Sequence, residues 1–351
     1  MRNGILVGGN WIIDLVKIID VFPGEEKLAN ILEEYSSNGG SAYNVIKDLA
    51  RLHVDFPLSA VGLVGEDERG RKILNECVQL GVNTDQLRIT DKAATSYTDV
   101  MSVQSLGKRT FFHYRGANAF LDTGDFNFSN NEKIFHLGYL LLLDKLDTVG
   151  SNGLTGAATV LKEAKEKGLI TTIDLVSEND SRFSTIVPSA LPFVDVIFVN
   201  EFEAEMLSGV SGLLEGDEVN LEKCYAAAAR ILKKGVKEWV LLHFPKGAIG
   251  LSSAGERIFQ PCLDIPSSKI MGAVGAGDAF AAGVLTGMHD NLPMQRSLLY
   301  GVCAAASSLF QATSSDGVLP LEECLLLAKE YGFKKEPSLV ADLNRKSDMF
   351  A

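Results

Sequence analysis

Apolar runs of strand length alternate with amphipathic helical stretches along most of this chain, and that alternation limits the folds open to it. Ile5-Leu6-Val7, Ala60-Val61-Gly62-Leu63, Ile134-Phe135-His136-Leu137, Ile170 to Asp174, Val194 to Val199 and Trp239 to Leu242 are mostly continuous in hydrophobicity, as expected of strands covered on both faces. Between them, Tyr43 to Leu52, Arg69 to Leu80, Gly156 to Lys167 and Leu221 to Lys234 carry apolar residues three and four apart beside charged faces. The pattern predicts an α/β fold, a mostly parallel sheet with helices on both sides.

Two stretches interrupt the alternation. Tyr97 to Tyr114 reads as two β-prone runs joined by a Ser105-Leu106-Gly107-Lys108 turn, a hairpin signal, and Trp11 to Phe22 interleaves aliphatic and charged residues straight after the first strand. These are expected to be pieces of a small antiparallel sheet, a lid built from segments near 11–22 and 95–115; edge strands of the main sheet are the alternative. A lid closing over a site excludes water from it. Ala279 to Met288 and Ser297 to Gln311 are rich in Ala, Gly and Ser, which suits helices packed closely on each other or on a ligand. Residues 1–332 are expected to form one domain with the lid inserted, and 333–351 a polar tail or peripheral helix.

Charge narrows the partners. Lys and Arg number 33 against 45 Asp and Glu, a net −12, and no long basic run offers the dense positive face that nucleic acid or an anionic membrane requires. The N-terminal MRNGILVGGN has too short an apolar run for a secretory signal, and the run Leu140 to Leu143 ends at Asp144, far short of a membrane span. A cytoplasmic protein is expected. Cys77, Cys224, Cys262, Cys303 and Cys324 are odd in number, scattered and free of any C-x-x-C spacing, so they read as reduced thiols packed as small apolar residues. No H-E-x-x-H or clustered ligand set indicates a built-in catalytic metal.

The chemistry concentrates in Met271-Gly272-Ala273-Val274-Gly275-Ala276-Gly277-Asp278-Ala279-Phe280. Small residues precede an acid that opens an Ala-rich helix, so the backbone N–H groups of Gly275, Ala276 and Gly277 can gather around an anion at a helix N-terminus. Carboxylate and phosphate repel each other, so an aspartate there is useful if Asp278 accepts the proton of a hydroxyl attacking a phosphate while the N–H groups hold the developing charge. A plain helix N-cap followed by small packing residues accounts for the same letters.

That segment resembles the late G-A-G-D signature of the ribokinase-like (PfkB-type) carbohydrate kinases. The early signature of the family, a Gly-Gly pair and an Asn at a helix start, is similar to Asn38-Gly39-Gly40-Ser41-Ala42-Tyr43-Asn44. Gly8-Gly9-Asn10 with Asp14 following resembles its first sugar-contacting aspartate, Asn200-Glu201-Phe202-Glu203 its N-x-x-E, and Arg115-Gly116-Ala117-Asn118-Ala119 its segment after the hairpin. Each is weak alone; together, in the order of the family and with the hairpin between them, they make a specific match over most of the chain.

The resemblance implies a three-layer α/β/α body with a small β lid, and phosphoryl transfer from ATP to a hydroxyl of a small ribose- or fructose-like sugar. By that resemblance Asp278 is the general base, and Gly275, Ala276 and Gly277 form the anion hole. Asp14, Gly39, Gly40 and Asn44 read sugar hydroxyls. Asn200, Glu203, Gly247 and Gly277 serve the nucleotide, with Glu203 and Asn200 acting through water on Mg²⁺. The physics agrees, because carboxylate and amide groups pair with vicinal hydroxyls and glycines let backbone approach a polar ligand. Homodimers through the lid are also implied, since an exposed apolar edge such as Val100 to Gln104 needs cover.

Several departures bear on substrate. Gly272-Ala273-Val274 replaces the D-T-x of the family, whose acid belongs to a monovalent-cation loop, which argues against potassium activation. Leu242-His243-Phe244-Pro245-Lys246-Gly247 replaces the usual T-L-G-x-x-G, leaving Lys246 as a phosphate contact or a solvated turn residue. Gly301 to Ala305 is similar to the adenine-facing helix but lacks its polar residue. Arg115 clamps a carboxylate or phosphate, as a 2-keto-3-deoxygluconate kinase would need, or merely anchors the hairpin. A nucleoside kinase shares every motif and would use Phe112, Tyr97 or Trp11 against a base. A sugar-binding pseudokinase is the non-enzyme alternative. A nicotinamide dehydrogenase is disfavoured because Gly8 to Asp14 lacks the G-x-G-x-x-G spacing.

Overall fold

The structure is a computed structural model and describes residues 2–105, 109–128, 131–177, 183–215 and 218–335. In chain order the elements are β1 (Ile5–Gly9), β2 (Ile12–Ile19), β3 (Ile31–Gly39), α1 (Ser41–Arg51), β4 (Leu58–Gly65), α2 (Glu68–Gln79), β5 (Asn83–Thr90), β6 (Ser96–Val103) and β7 (Arg109–Tyr114). They continue with β8 (Ile134–Leu140), α3 (Gly156–Glu166), β9 (Ile170–Leu175), α4 (Phe183–Ala190), β10 (Val196–Asn200) and α5 (Glu201–Ser208). A short ribbon, β11 (Leu214–Glu215) and β12 (Glu218–Val219), leads to α6 (Leu221–Lys233), β13 (Trp239–Phe244), β14 (Gly247–Ser252), β15 (Arg257–Pro261), α7 (Ala276–His289), α8 (Met294–Ser308) and α9 (Leu321–Tyr331).

Nine strands form the main sheet in the order β15-β14-β13-β10-β9-β8-β1-β4-β5, parallel from β13 to β5 and antiparallel at β13-β14-β15. The continuous apolar runs are explained by burial on both faces. In β1, Leu6 joins a core shared with α3, α4, α5 and α6, while Ile5 and Val7 join a second core with α1, α2, α7 and α8. In β10, Ile197 and Val199 face the first core, and Val196 and Phe198 the second. Two apolar layers on one sheet give the α/β/α architecture.

The lid differs from the sequence expectation in two respects. It is a four-stranded sheet in the order β3-β2-β6-β7, and β2 pairs with β6 in parallel, so the sheet is mixed rather than antiparallel. Its third segment, β3, lies outside the two stretches near 11–22 and 95–115. The residues Ile31-Leu32-Glu33-Glu34-Tyr35 are largely exposed at the sheet edge, so β3 lacks the apolar signature of a covered strand, and Asn38-Gly39 reads in sequence only as a helix start. Leu106 to Lys108 of the expected turn and residues 336–351 of the expected tail lie outside the described residues. Phe333 pairs with Leu263 just after α9.

This topology fixes where a site can form. β1 has β8 on one side and β4 on the other, so the strand order reverses there, and crevices in open α/β sheets open at the carboxyl ends of strands beside such a reversal. Asn10, just past β1, spans that gap: its N–H donates to the Gly138 carbonyl at 2.9 Å and its Nδ2 to the Leu142 carbonyl at 3.2 Å. Among the described residues no helix is long and apolar enough to cross a membrane.

Candidate active site

A cavity of about 880 Å³ opens at the carboxyl ends of β8, β9, β10 and β13, between the main sheet, the lid and the start of α7. That volume is in the range of small-molecule pockets, roughly 300–1,000 Å³. Of the residues singled out in the sequence, Asp14, Gly40, Asn44, Asn200, Glu203, Gly247, Gly275, Ala276, Gly277 and Asp278 all line it. Gly39 and Arg115 do not.

Asp278 sits in the first turn of α7, buried, at the centre of a converging set of donors. Asn44 Nδ2 donates to its Oδ2 at 2.8 Å, and the Tyr139 hydroxyl lies 3.1 Å from both carboxylate oxygens. Asp174, at the end of β9, also hydrogen-bonds it. Burial, then the neighbouring Asp278 charge, holds Asp174 well above the usual carboxylate range. Burial likewise raises Asp278 to about 6, with the donors from Asn44, Tyr139 and Asp174 opposing it.

The N-terminus of α7 is built for close approach. Gly275, its N-cap, has φ 75°, offers no side chain to cap the helix, and packs so tightly that an added Cβ would lie 2.3 Å from the Ser314 carbonyl oxygen. The uncapped first turn leaves backbone N–H groups at the positive end of the helix, facing the cavity. Ala276 N–H makes a long 3.4 Å contact to the Ala273 carbonyl. Gly277 faces His243, whose Cε1 would be 3.2 Å from an added Cβ. Burial lowers His243 to about 4, so its ring is neutral.

Asn200 and Glu203 form a capping box on α5. Asn200 Oδ1 accepts from Glu203 N–H at 2.9 Å, and Glu203 Oε2 accepts from Asn200 N–H at 3.0 Å. The Ser177 hydroxyl donates to Glu203 Oε1 at 2.9 Å. Helix capping and cavity lining therefore coincide, and burial raises Glu203 to about 7.

On the lid side, burial raises Asp14 to about 7, opposed by a hydrogen bond from Thr98. Gly39 lies beneath Asp14 rather than on the cavity: a Cβ there would come within 2.4 Å of Asp14 Oδ1. Its role is to leave room for that carboxylate. Arg115, which the sequence left open between a clamp for an anionic group and an anchor of the hairpin, lies off the cavity wall. Its guanidinium donates to the Leu141 carbonyl at 2.7 Å and pairs with Asp144 at 3.1 Å, tying the end of the hairpin to the loop after β8. Lys246 pairs with Glu218 at 3.3 Å and is also off the cavity wall.

The aromatics offered for a nucleobase are elsewhere as well. Trp11 is buried in the core, its indole N–H on the Val61 carbonyl at 3.0 Å; Tyr97 packs on Tyr114 and Arg69; Phe112 points to the exposed outer lid face. Phe111, His113 and Tyr139 line the cavity instead. Tyr139 and Asp174 were not singled out by sequence reasoning. Asp174 carries a usable signal, an acid ending a buried parallel strand; Tyr139 carries none, because its function depends on the meeting of β8 and α7. Val302, Ala305 and Ala306 of α8 and Lys334 also border the cavity.

The family model described as pfkB family carbohydrate kinase matches residues 4–320. The chain is 24% identical over 296 residues to a 5-dehydro-2-deoxygluconokinase of Geobacillus kaustophilus, covering 81% of this chain and 82% of the relative. It is 26% identical over 307 residues to an adenosine kinase of Saccharomyces cerevisiae, covering 83% and 85%. The solved structure of Arabidopsis thaliana ribokinase complexed with ribose and ATP superposes with a TM-score of 0.76 at 23% identity, covering 94% of this chain and 99% of that one. With the family model spanning nearly all of the described body, the chain belongs to the pfkB family of carbohydrate kinases.

Proposed function

We propose that the protein transfers the γ-phosphoryl group of ATP to a hydroxyl of a small ribose- or fructose-like sugar. The observation that carries this reading is the buried Asp278 in the first turn of α7, beside uncapped backbone N–H groups, in one cavity with Asp14 and Asn44. Asp278 takes the proton of the attacking hydroxyl as its oxygen bonds to the γ-phosphorus. The bond from that phosphorus to the bridging oxygen breaks, ADP leaves, and the N–H groups of Gly275, Ala276 and Gly277 hold the charge on the transferring group. Asp14, Gly40 and Asn44 bind the sugar, and Gly39 keeps space for Asp14.

The donor set suits magnesium. Asp14, Asp174, Glu203 and Asp278 line the cavity with Lys334 the cationic side chain among its described lining residues, so a polyanionic nucleotide needs a hard, oxygen-seeking cation to enter. Glu203 and Asn200 would hold it through water. When bound with the nucleotide, Mg²⁺ neutralises charge on the phosphates. Val302, Ala305, Ala306 and Gly247 give the nucleotide a small-residue wall.

The test is ADP release with Mg-ATP over a panel of sugars and nucleosides. Turnover by the wild type that Asp278→Asn abolishes, with sugar binding retained, supports the reading. No turnover on the whole panel would leave a sugar-binding pseudokinase.

Homodimerisation through the lid is part of the same proposal. Val100 to Gln104 is not the exposed edge that the sequence suggested, since β6 lies between β2 and β7 with Val100 and Val103 buried; instead Phe112 and Tyr114 are exposed on the outer face of β7, and Ile31 and Leu32 on the edge strand β3, the kind of surface that a second copy covers. Sedimentation as a dimer at micromolar concentration is expected; a monomer there contradicts it.

A further inference from the structure

Asp14, Thr98 and His113 lie side by side across three lid strands. Asp14 on β2 is in register with Thr98 on β6, and Thr98 with His113 on β7. Register partners project to one face of a sheet, and all three line the cavity. His113 Nδ1 is 3.0 Å from Thr98 Oγ1, while His113 Nε2 is buried with no hydrogen-bond partner. A buried polar atom left unpaired is costly and calls for an explanation in a ligand or a role.

The hydrogens in this row can be assigned. Thr98 lowers Asp14, as a hydroxyl that donates its one hydrogen to the ionised carboxylate does. Thr98 Oγ1 is then an acceptor toward His113, so Nδ1 carries the ring hydrogen and Nε2 keeps a lone pair. Burial, followed by the Arg115 charge, lowers His113 to about 4, with Asp144 and the Tyr97 carbonyl opposing, so the ring stays neutral at ordinary pH.

We infer that the Asp14–Thr98–His113 row is a hydroxyl-reading platform, in which Asp14 and His113 Nε2 accept hydrogen bonds from two hydroxyls of an uncharged polyol, and that it rejects acceptors carrying a carboxylate or phosphate there. Two acceptors side by side match two donors, and an anionic group brings none. Neither arginine near the row, Arg115 whose charge reaches His113 or Arg109, lines the cavity. Arg115 is tied to Asp144 and Leu141, and Arg109, whose charge reaches Asp14, is four residues along β7 from His113 and off the cavity wall. This inference rests on the kinase reading above and adds His113 as a residue that sets specificity.

The experiment measures turnover of D-ribose, D-fructose and adenosine against ribose 1-phosphate, ribose 5-phosphate and 2-keto-3-deoxygluconate, for the wild type, His113→Phe and His113→Gln. Calorimetric binding of the same compounds to Asp278→Asn, with and without His113→Phe, is read in parallel. Neutral acceptors are expected to be favoured at least about tenfold. His113→Phe, which keeps a flat ring and loses the acceptor, is expected to raise KM for the neutral substrate about tenfold with kcat within about twofold, and His113→Gln to restore part of the loss. Preference for an anionic acceptor, or an unchanged KM in a folded His113→Phe, overturns the inference while leaving the kinase reading intact. Absent turnover with His113-dependent binding of a neutral sugar removes the kinase reading and keeps the platform; absent turnover and binding removes both.

Discussion

Asn44 Nδ2 donates to Asp278 Oδ2 across 2.8 Å, and the Asn44 amide is itself oriented from the lid, because Asn38 Nδ2 donates to its Oδ1 at 2.6 Å. Lys47 Nζ reaches Asn38 Oδ1 at 3.1 Å and so fixes the Asn38 amide in turn. A buried chain of oriented amides thus joins strand β3, helix α1 and the proposed base on α7. Asn44→Ala is expected to lower kcat about 10- to 100-fold with the fold retained. Asn44→Asp places a second carboxylate against Asp278 and is expected to raise the pH at which activity appears. Steady-state kinetics over a pH series checks both.

Gly39→Ala tests the space reserved for Asp14. The added Cβ would lie 2.4 Å from Asp14 Oδ1 and 2.6 Å from Oδ2, so the carboxylate must turn away. KM for the sugar is expected to rise about tenfold or more, from loss of a charged hydrogen bond, while KM for ATP stays within about twofold. Equal effects on both constants would count against this role.

Gly275→Ala combines a left-handed backbone, φ 75°, with a Cβ 2.3 Å from the Ser314 carbonyl oxygen. Neither strain is relieved by a side-chain rotation, because the obstructing atom is backbone. A stability loss of about 1–3 kcal/mol is expected from the conformation alone, together with loss of phosphoryl transfer as the helix start shifts. Thermal unfolding and ADP release measure the two effects separately.

The pH profile follows from the buried acids. A protonated base accepts no proton, and Asp278 is raised to about 6, chiefly by burial. The kcat/KM value should therefore climb at least about tenfold per pH unit below that point. Asp14 and Glu203, each raised to about 7 by burial, are expected to extend the rise to just above neutrality. A flat profile from pH 5 to 8 would remove Asp278 as the base.

Asp48 on α1 is fully buried, with neither carboxylate oxygen hydrogen-bonded and the Ser315 hydroxyl beside it. Burial, first, holds its carboxyl well above the usual range. A carboxyl raised in the folded state stabilises the fold while protonated, and that contribution is lost as pH rises through the folded-state value. Asp48→Asn is therefore expected to be near neutral at pH 4 and to stabilise by about 1–3 kcal/mol at pH 8, read by denaturant unfolding at the two pH values.

The strands that make the body were legible because their chemistry is local to each run. Ile5-Leu6-Val7 and Val196 to Val199 are apolar at every position, which only a doubly covered strand explains. Strand β3 was not legible, because an exposed edge strand carrying Glu33, Glu34 and Ser36 has no buried face to mark it over most of its length. Asp278 and the glycines before it were legible as a helix start. Arg115 was ambiguous, since a cation beside a lid suits a ligand or a salt bridge equally, and only the structure puts Asp144 3.1 Å away.

By itself the sequence determined the α/β layering, the resemblance that named the family, and the glycine-rich start of α7, all of which depend on residues close together in the chain. Tertiary structure alone decided which acids meet: Asp14, Asp174, Glu203 and Asp278 come from four elements and share one cavity. It also decided that Tyr139 and Asn44 both serve Asp278, and that His113 stands in line with Asp14 through Thr98. The physical reason is that burial and hydrogen-bond geometry belong to neighbours in space. The Asp278 carboxylate acquires its proton affinity from groups far away in the chain, Tyr139 at 139 residues and Asn44 at 234, and no local pattern records them.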